Sequence, residues 1–216
     1  MNSSYWILIT HIFSLYPIGI FSWSWKIRKD IHSVFMILNF IFCVLFSLFY
    51  HNHDIEGIPY NNSDYGTWHL LDSQKSTSLI LTTGLYVSRV RDPYFYNFCY
   101  ISNIITLILA LFKLPAFSTY YLILHLFINF IIKWRTIYRY LIKFKIISFL
   151  TISCGVSATI CYYTVLGEGF NQTYIFYHSL WHMFIFLTAG FGSILRYKLD
   201  QELYPIIPQR DTLDSI

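Results

Sequence analysis

Charged side chains punctuate this chain, and the runs between them set its architecture. Seven stretches carry no Asp, Glu, Lys or Arg: Tyr5–Trp25, Ile31–Tyr50, Ser76–Ser88, Tyr94–Phe112, Ala116–Ile132, Ile146–Leu166 and Phe170–Leu195. A helix needs about 20 largely apolar residues to cross a bilayer, so each run is read as one crossing. The third is the shortest and lengthens by borrowing from Trp68–Ser73. Only Lys113, Leu114 and Pro115 separate the fourth from the fifth, as in a tight hairpin. Ile and aromatic residues dominate the runs, which in water would suggest strands. In lipid the backbone must satisfy itself within the segment, and runs of this length without alternation indicate helices rather than a barrel. The expectation is an all-α membrane protein: a seven-transmembrane helix bundle over residues 1–195, followed by a polar cytosolic tail over 196–216.

Composition removes the soluble alternatives. The 216 residues are 56% hydrophobic, 21% aromatic and 12% charged, against about 25% charged in an ordinary globular domain. Such a chain cannot build a water-facing surface of normal character. Disorder, coiled coil and collagen are excluded by the same figures. The first run has no basic start, since Met1–Thr10 lacks Lys and Arg while Lys26, Arg28 and Lys29 follow it. It is therefore expected to be a retained helix rather than a cleaved signal.

Charge then orients the bundle. Thirteen of the fifteen Lys and Arg residues fall in the connections after the first, third and fifth runs and in the tail. Lys75 and Lys113, the other two, fall in the opposite set of loops. The positive-inside rule places the C-terminus in the cytosol and the N-terminus outside. The three N-x-S/T sequons, at Asn2, Asn61 and Asn171, all lie on the expected outer side. The basic run Lys133, Arg135, Arg139, Lys143, Lys145 reads as an inner-leaflet anchor. Cys43, Cys99, Cys154 and Cys161 fall inside the runs without CxxC spacing, which suits packing rather than disulfides or thiolate metal ligation.

Ionisable groups inside spans are costly and mark function by default. Ser47-Leu-Phe-Tyr-His51 ends the second run and is followed by Asn52, His53 and Asp54. Trp68-His69-Leu-Leu-Asp72 leads into the third, and His178-Ser-Leu-Trp-His182 lies in the seventh. Residues four apart share a helix face, so His178 and His182 can offer two imidazoles to one ion, and Ser47 and His51 face one way. Topology brings all three clusters to the outer boundary. His51, His178 and His182 with one open position suit a Zn2+ site of catalytic type. Taken alone, each piece has an ordinary reading: Asp72 as an N-cap, Ser47 as a packing residue, His51 as an interfacial histidine. His53 and His69 are candidates for spare ligands or outer donors. His11, His32 and His125 have no acidic partner in their spans and are assigned no role.

Ser-x3-His on the second span, Asp at the start of the third and His-x3-His on the seventh resemble a superfamily of seven-helix membrane proteins. It includes alkaline ceramidases and the adiponectin and progestin receptors. Ser47–Asp54 (SLFYHNHD), with its histidine-x-x-aspartate end, Asp72-Ser-Gln-Lys-Ser and His178–His182 are most similar to the transmembrane-protein-8 family within it. That family includes a protein required for myoblast fusion and another associated with phospholipase action. The resemblance implies a plasma-membrane (or secretory-pathway) protein promoting cell fusion around a three-histidine zinc site, whose zinc would fasten the second and seventh spans. The alternative is a zinc-dependent lipid hydrolase, ceramidase-like or phospholipase-like. There Asp72 orients or deprotonates water and Ser47 supports the oxyanion or bonds Asp72. A receptor is a third reading. Expected partners are membrane lipids, a second copy through small residues such as Gly190-Phe191-Gly192, and a fusion partner on the outer side; nucleic acid is not expected.

Overall fold

The computed structural model describes residues 5–28, 31–56, 63–87, 115–165 and 170–203, with isolated positions at 101, 104, 105, 108 and 112. The fourth apolar run, Cys99 and the sequons at Asn2 and Asn61 therefore lie outside the described residues, apart from those isolated positions. The described backbone forms helices: α1 (Trp6–Thr10), α2 (Leu15–Arg28), α3 (Ile31–Glu56), α4 (Ser63–Val87), α5 (Pro115–Lys143), α6 (Lys145–Val165) and α7 (Gln172–Leu203). A 3-10 turn, His11–Ser14, joins α1 to α2. Pro17 follows it and explains the tightening. A proline has no N–H to give the carbonyl four residues back, and its ring crowds that turn.

α7 is the hub. It packs against α6, α2, α1, the 3-10 turn and α4, while α3 lies on α4 and α2. The main core joins Phe21, Phe40, Leu81, Tyr86 and Phe186, and a smaller one at the far end of α7 joins Tyr140, Leu195 and Leu199.

Burial runs opposite to that of a water-soluble bundle. On α6 the buried residues are Ser148, Ala158, Cys161 and Val165, while Ile146 (77% exposed), Phe149, Ile152, Val156 and Ile160 form an outward stripe. On α3, Ser33, Asn39, Ser47 and His51 are buried alongside Met36, Phe40, Cys43 and Tyr50, while Leu38, Phe42, Leu45 and Phe49 face out. Small and polar residues inside with large apolar ones outside is the pattern of helices packed in hydrocarbon. Hydroxyls turn back onto their own helices, as Thr151 Oγ1 donates to the Ile147 carbonyl at 2.8 Å and Ser193 Oγ to Ala189 at 2.7 Å. Four segments among the described residues are long and apolar enough to cross a membrane: Trp6–Ile27, Ile31–Glu56, Lys145–Val165 and Gln172–Gln201. The chain is a helical membrane protein.

Three helices outrun their apolar stretches. α4 begins at Ser63, so Asp72 lies within it rather than capping it, and Lys75 is a helix residue rather than a loop residue. A partner on another helix accounts for Lys75: its Nζ donates to Asn39 Oδ1 of α3 at 3.1 Å. α5 continues to Lys143, which makes most of the basic run helical. α7 continues to Leu203, so the start of the polar tail belongs to the bundle.

Candidate metal centre

On α3 the residues Met36, Phe40, Cys43, Ser47 and His51 recur every three or four positions and are all buried. On α7 the same spacing buries Ile175, Ser179, His182, Phe186 and Ala189. These two faces bring His51, His178 and His182 together, with their ligand nitrogens all within 4.8 Å of one another. His51 lies about 8 Å before the C-terminal end of α3, and His178 about 9 Å beyond the start of α7, at 1.5 Å per residue. The cluster therefore occupies one end of the bundle.

Its hydrogen bonds assign the protons. His51 Nδ1 lies 3.3 Å from Asp54 Oδ2, one turn further along α3. A carboxylate accepts, so the proton belongs on Nδ1 and leaves His51 Nε2 as a bare lone pair. That lone pair faces His178 Nε2 at 3.2 Å. Tetrahedral ligation at about 2.0–2.1 Å sets two nitrogens about 3.3 Å apart, so the spacing suits a shared divalent ion. The Asp54 carboxylate is the outer partner that a ligating imidazole normally has. Buried His182 Nδ1 is without a hydrogen-bond partner, a second sign that the protein's own groups do not complete this cluster. Aromatic rings wall it: Tyr174 stacks on His178 at 4.7 Å, and Trp181 touches both His178 and His182.

The three expected ligands thus meet. Ser47 is buried one turn below His51 on the same face. Asp72 accepts a hydrogen bond from Ser76 Oγ at 3.4 Å and lies beside Ser47. Among the described residues no hydrogen bond or ion pair joins Asp72 to an imidazole. His53 turns away, its Nδ1 donating to the Phe49 carbonyl at 2.8 Å, and His69 packs on Tyr50 at 4.9 Å. Neither is a spare ligand here.

Two residues of the site were given no role from the sequence. Asp54 was named there as the end of the histidine-x-x-aspartate motif, three residues after His51, a spacing that places both on one helix side. His11 gave no local signal. It is 4% exposed, and its ring meets that of His182 edge to face with centroids 4.2 Å apart and that of His51 at 6.1 Å. Assigning His11 no role is therefore corrected: its neighbours are other imidazoles on distant helices, not an acid in its own span.

A cavity of about 450 Å³ adjoins the cluster, within the range of about 300–1,000 Å³ usual for small-molecule sites. His11, Ser47 and His182 line one part, and Trp134, Tyr140 and Leu195 another. From His182 to Leu195 it follows α7 for about 20 Å. Apart from a few hydroxyls, one thiol and the imidazoles, its walls are apolar.

No curated protein and no solved structure matches this chain. A sequence family described as "Protein of unknown function (DUF3522)" matches residues 5–183, a stretch that contains His11, His51, Asp54, Asp72, His178 and His182. The chain, matched from its first helix to the last histidine of the cluster, belongs to the DUF3522 family.

Proposed function

We propose that this chain is a seven-span plasma-membrane protein, N-terminus outside, that holds one Zn2+ through His51, His178 and His182 and hydrolyses an amide or ester bond of a membrane lipid. The carrying observation is the apolar cavity that leads along α7 to Ser47 and His182. It offers room for an acyl chain whose linkage to the headgroup would lie at the imidazoles. Bound zinc supplies a Lewis acid that polarises a carbonyl and activates water. Ser47 is buried on the cavity wall, and its single hydroxyl proton, given to Asp72 at rest, turns to the reacting carbonyl oxygen. Asp72 steadies the hydroxyls of Ser47 and Ser76 and takes up protons through them. The rings of Tyr174 and Trp181 keep bulk water from the imidazoles.

The test is metal analysis of detergent-purified protein, followed by assay of fatty-acid release from ceramide and phospholipid. One zinc per chain, with release abolished in Ser47→Ala and Asp72→Asn, is expected. Zinc-loaded protein that releases no fatty acid from either lipid class would overturn hydrolysis.

A myomaker-like role in plasma-membrane fusion is the second reading. There the same ion fastens α3 to α7, and the outer surface acts on the bilayer or on a partner protein. It is favoured by the place of the cluster, since His51 belongs to α3 and His178 and His182 to α7, so one ion shared by the three joins the two helices. Full fusion in cells expressing Ser47→Ala or Asp72→Asn would select this reading.

A further inference from the structure

Beside the three-histidine cluster lie two buried nitrogens without partners, His11 Nε2 and His182 Nδ1. They belong to rings in direct edge-to-face contact, 4.2 Å between centroids. Their needs are complementary. His11 Nδ1 is 2.8 Å from the Ile7 carbonyl, which can only accept, so the proton is on Nδ1 and Nε2 is a bare acceptor. His182, when its Nε2 serves as a ligand, carries its proton on Nδ1 and needs an acceptor. Each ring therefore has what the other lacks.

We infer that His11 is a positioning residue of the metal centre, its Nε2 accepting the Nδ1–H of His182. A chain of hydrogen bonds then runs from the Ile7 carbonyl through two imidazoles to the ligand nitrogen. It fixes the tautomer and tilt of His182 as Asp54 does for His51. The edge-to-face contact sets the two rings side by side with no bond between these nitrogens; turning the rings about their side-chain torsions makes the bond. Direct ligation by His11 is disfavoured, because its ring is 6.1 Å from that of His51 and its nitrogens fall outside the set lying within 4.8 Å.

The backbone supports this placement. His11 opens the 3-10 turn between α1 and α2, which sets its ring against α7. Gly190 of α7 admits the Tyr16 ring so closely that a Cβ there would overlap it. The first segment is thereby seated on α7 within two turns of His11.

The inference rests on the metal-centre reading, and one experiment separates the two. Full-length protein in detergent is titrated with Zn2+ against a chromophoric chelator, and with Co2+ for its visible spectrum. In His11→Ala and in the bulkier His11→Leu, zinc affinity should fall about 10–100-fold while one ion still binds at saturation. His11→Gln, whose side-chain carbonyl accepts a hydrogen bond, should regain most of the loss. The cobalt spectrum should keep its ligand number in every variant. Unchanged affinity in both Ala and Leu variants, or no difference between Gln and Leu, would overturn the inference. So would a cobalt spectrum that loses a ligand in His11→Leu, since that is the mark of direct ligation. Wild-type protein that binds neither ion would instead overturn the metal centre, and the inference with it.

Discussion

The two ends of α7 bury polar groups in opposite ways. Near its C-terminal end, Arg196 Nε donates to Asp200 Oδ2 at 2.6 Å. The same guanidinium donates to the Tyr86 carbonyl and lies over the Tyr86 ring at 4.7 Å. Donor meets acceptor and cation meets anion, so the guanidinium of this end is held by groups of the chain itself. At the N-terminal end imidazoles gather instead: His51 Nε2 and His178 Nε2 lie 3.2 Å apart, and His11 Nε2 and His182 Nδ1 have no hydrogen-bond partner. Complementary groups fasten helices together. Imidazoles gathered with ring nitrogens left over instead make a receptacle for a third party.

That contrast can be broken most sharply at the receptacle. Replacing His178 or His182 by Ala should take metal content from one ion per chain to none, as read by elemental analysis. Helicity by circular dichroism should hardly change, because the fasteners lie elsewhere. At the other end, Arg196→Ala leaves Asp200 buried without its cation and should cost about 3–5 kcal/mol of stability. Thermal unfolding in detergent reads this, and metal content per folded chain should stay at one. The double change Arg196→Met with Asp200→Leu should restore most of that loss, since apolar replacements of a buried pair are often neutral. A Cβ at Gly190 meets Tyr16, so Gly190→Ala should cost about 1–3 kcal/mol by overpacking. Tyr16→Ala in the same chain should relieve it. The smallest effect is expected for Asp54→Asn, which keeps the fold and lowers metal affinity by about 10-fold or somewhat more in a chelator competition.

Much of this was legible in the residue pattern, and the exceptions share a cause. Charge-free runs identified α3, α6 and α7 because lipid demands continuous apolar length, and the i, i+4 spacing of His178 and His182 needed only helix geometry. His11 could not be found that way. Its place depends on how closely Gly190 lets the first segment approach α7, which is a property of two helices at once. Lys75 misled for a related reason: a charge reads as a loop until its acceptor, Asn39 on another helix, is known. Arg196 and Asp200 looked like a solvated tail, although their i, i+4 pairing lets α7 continue past them. Local periodicity records what one helix requires, whereas partners across helices are written in no single segment.

The bond from Lys75 to Asn39 bears on how the molecule is made. α4 does not reach the apolar length and hydropathy of the four segments suited to crossing a membrane, and it carries an ammonium group in its middle. Alone, it would leave that amine without the acceptor that Asn39 provides. α3 supplies this carbonyl oxygen, and its Cys43 thiol lies 3.7 Å from the Ser76 hydroxyl of the following helix. The later segment is thus completed by the earlier one, and the two form a single unit whose polar needs close only when they are side by side.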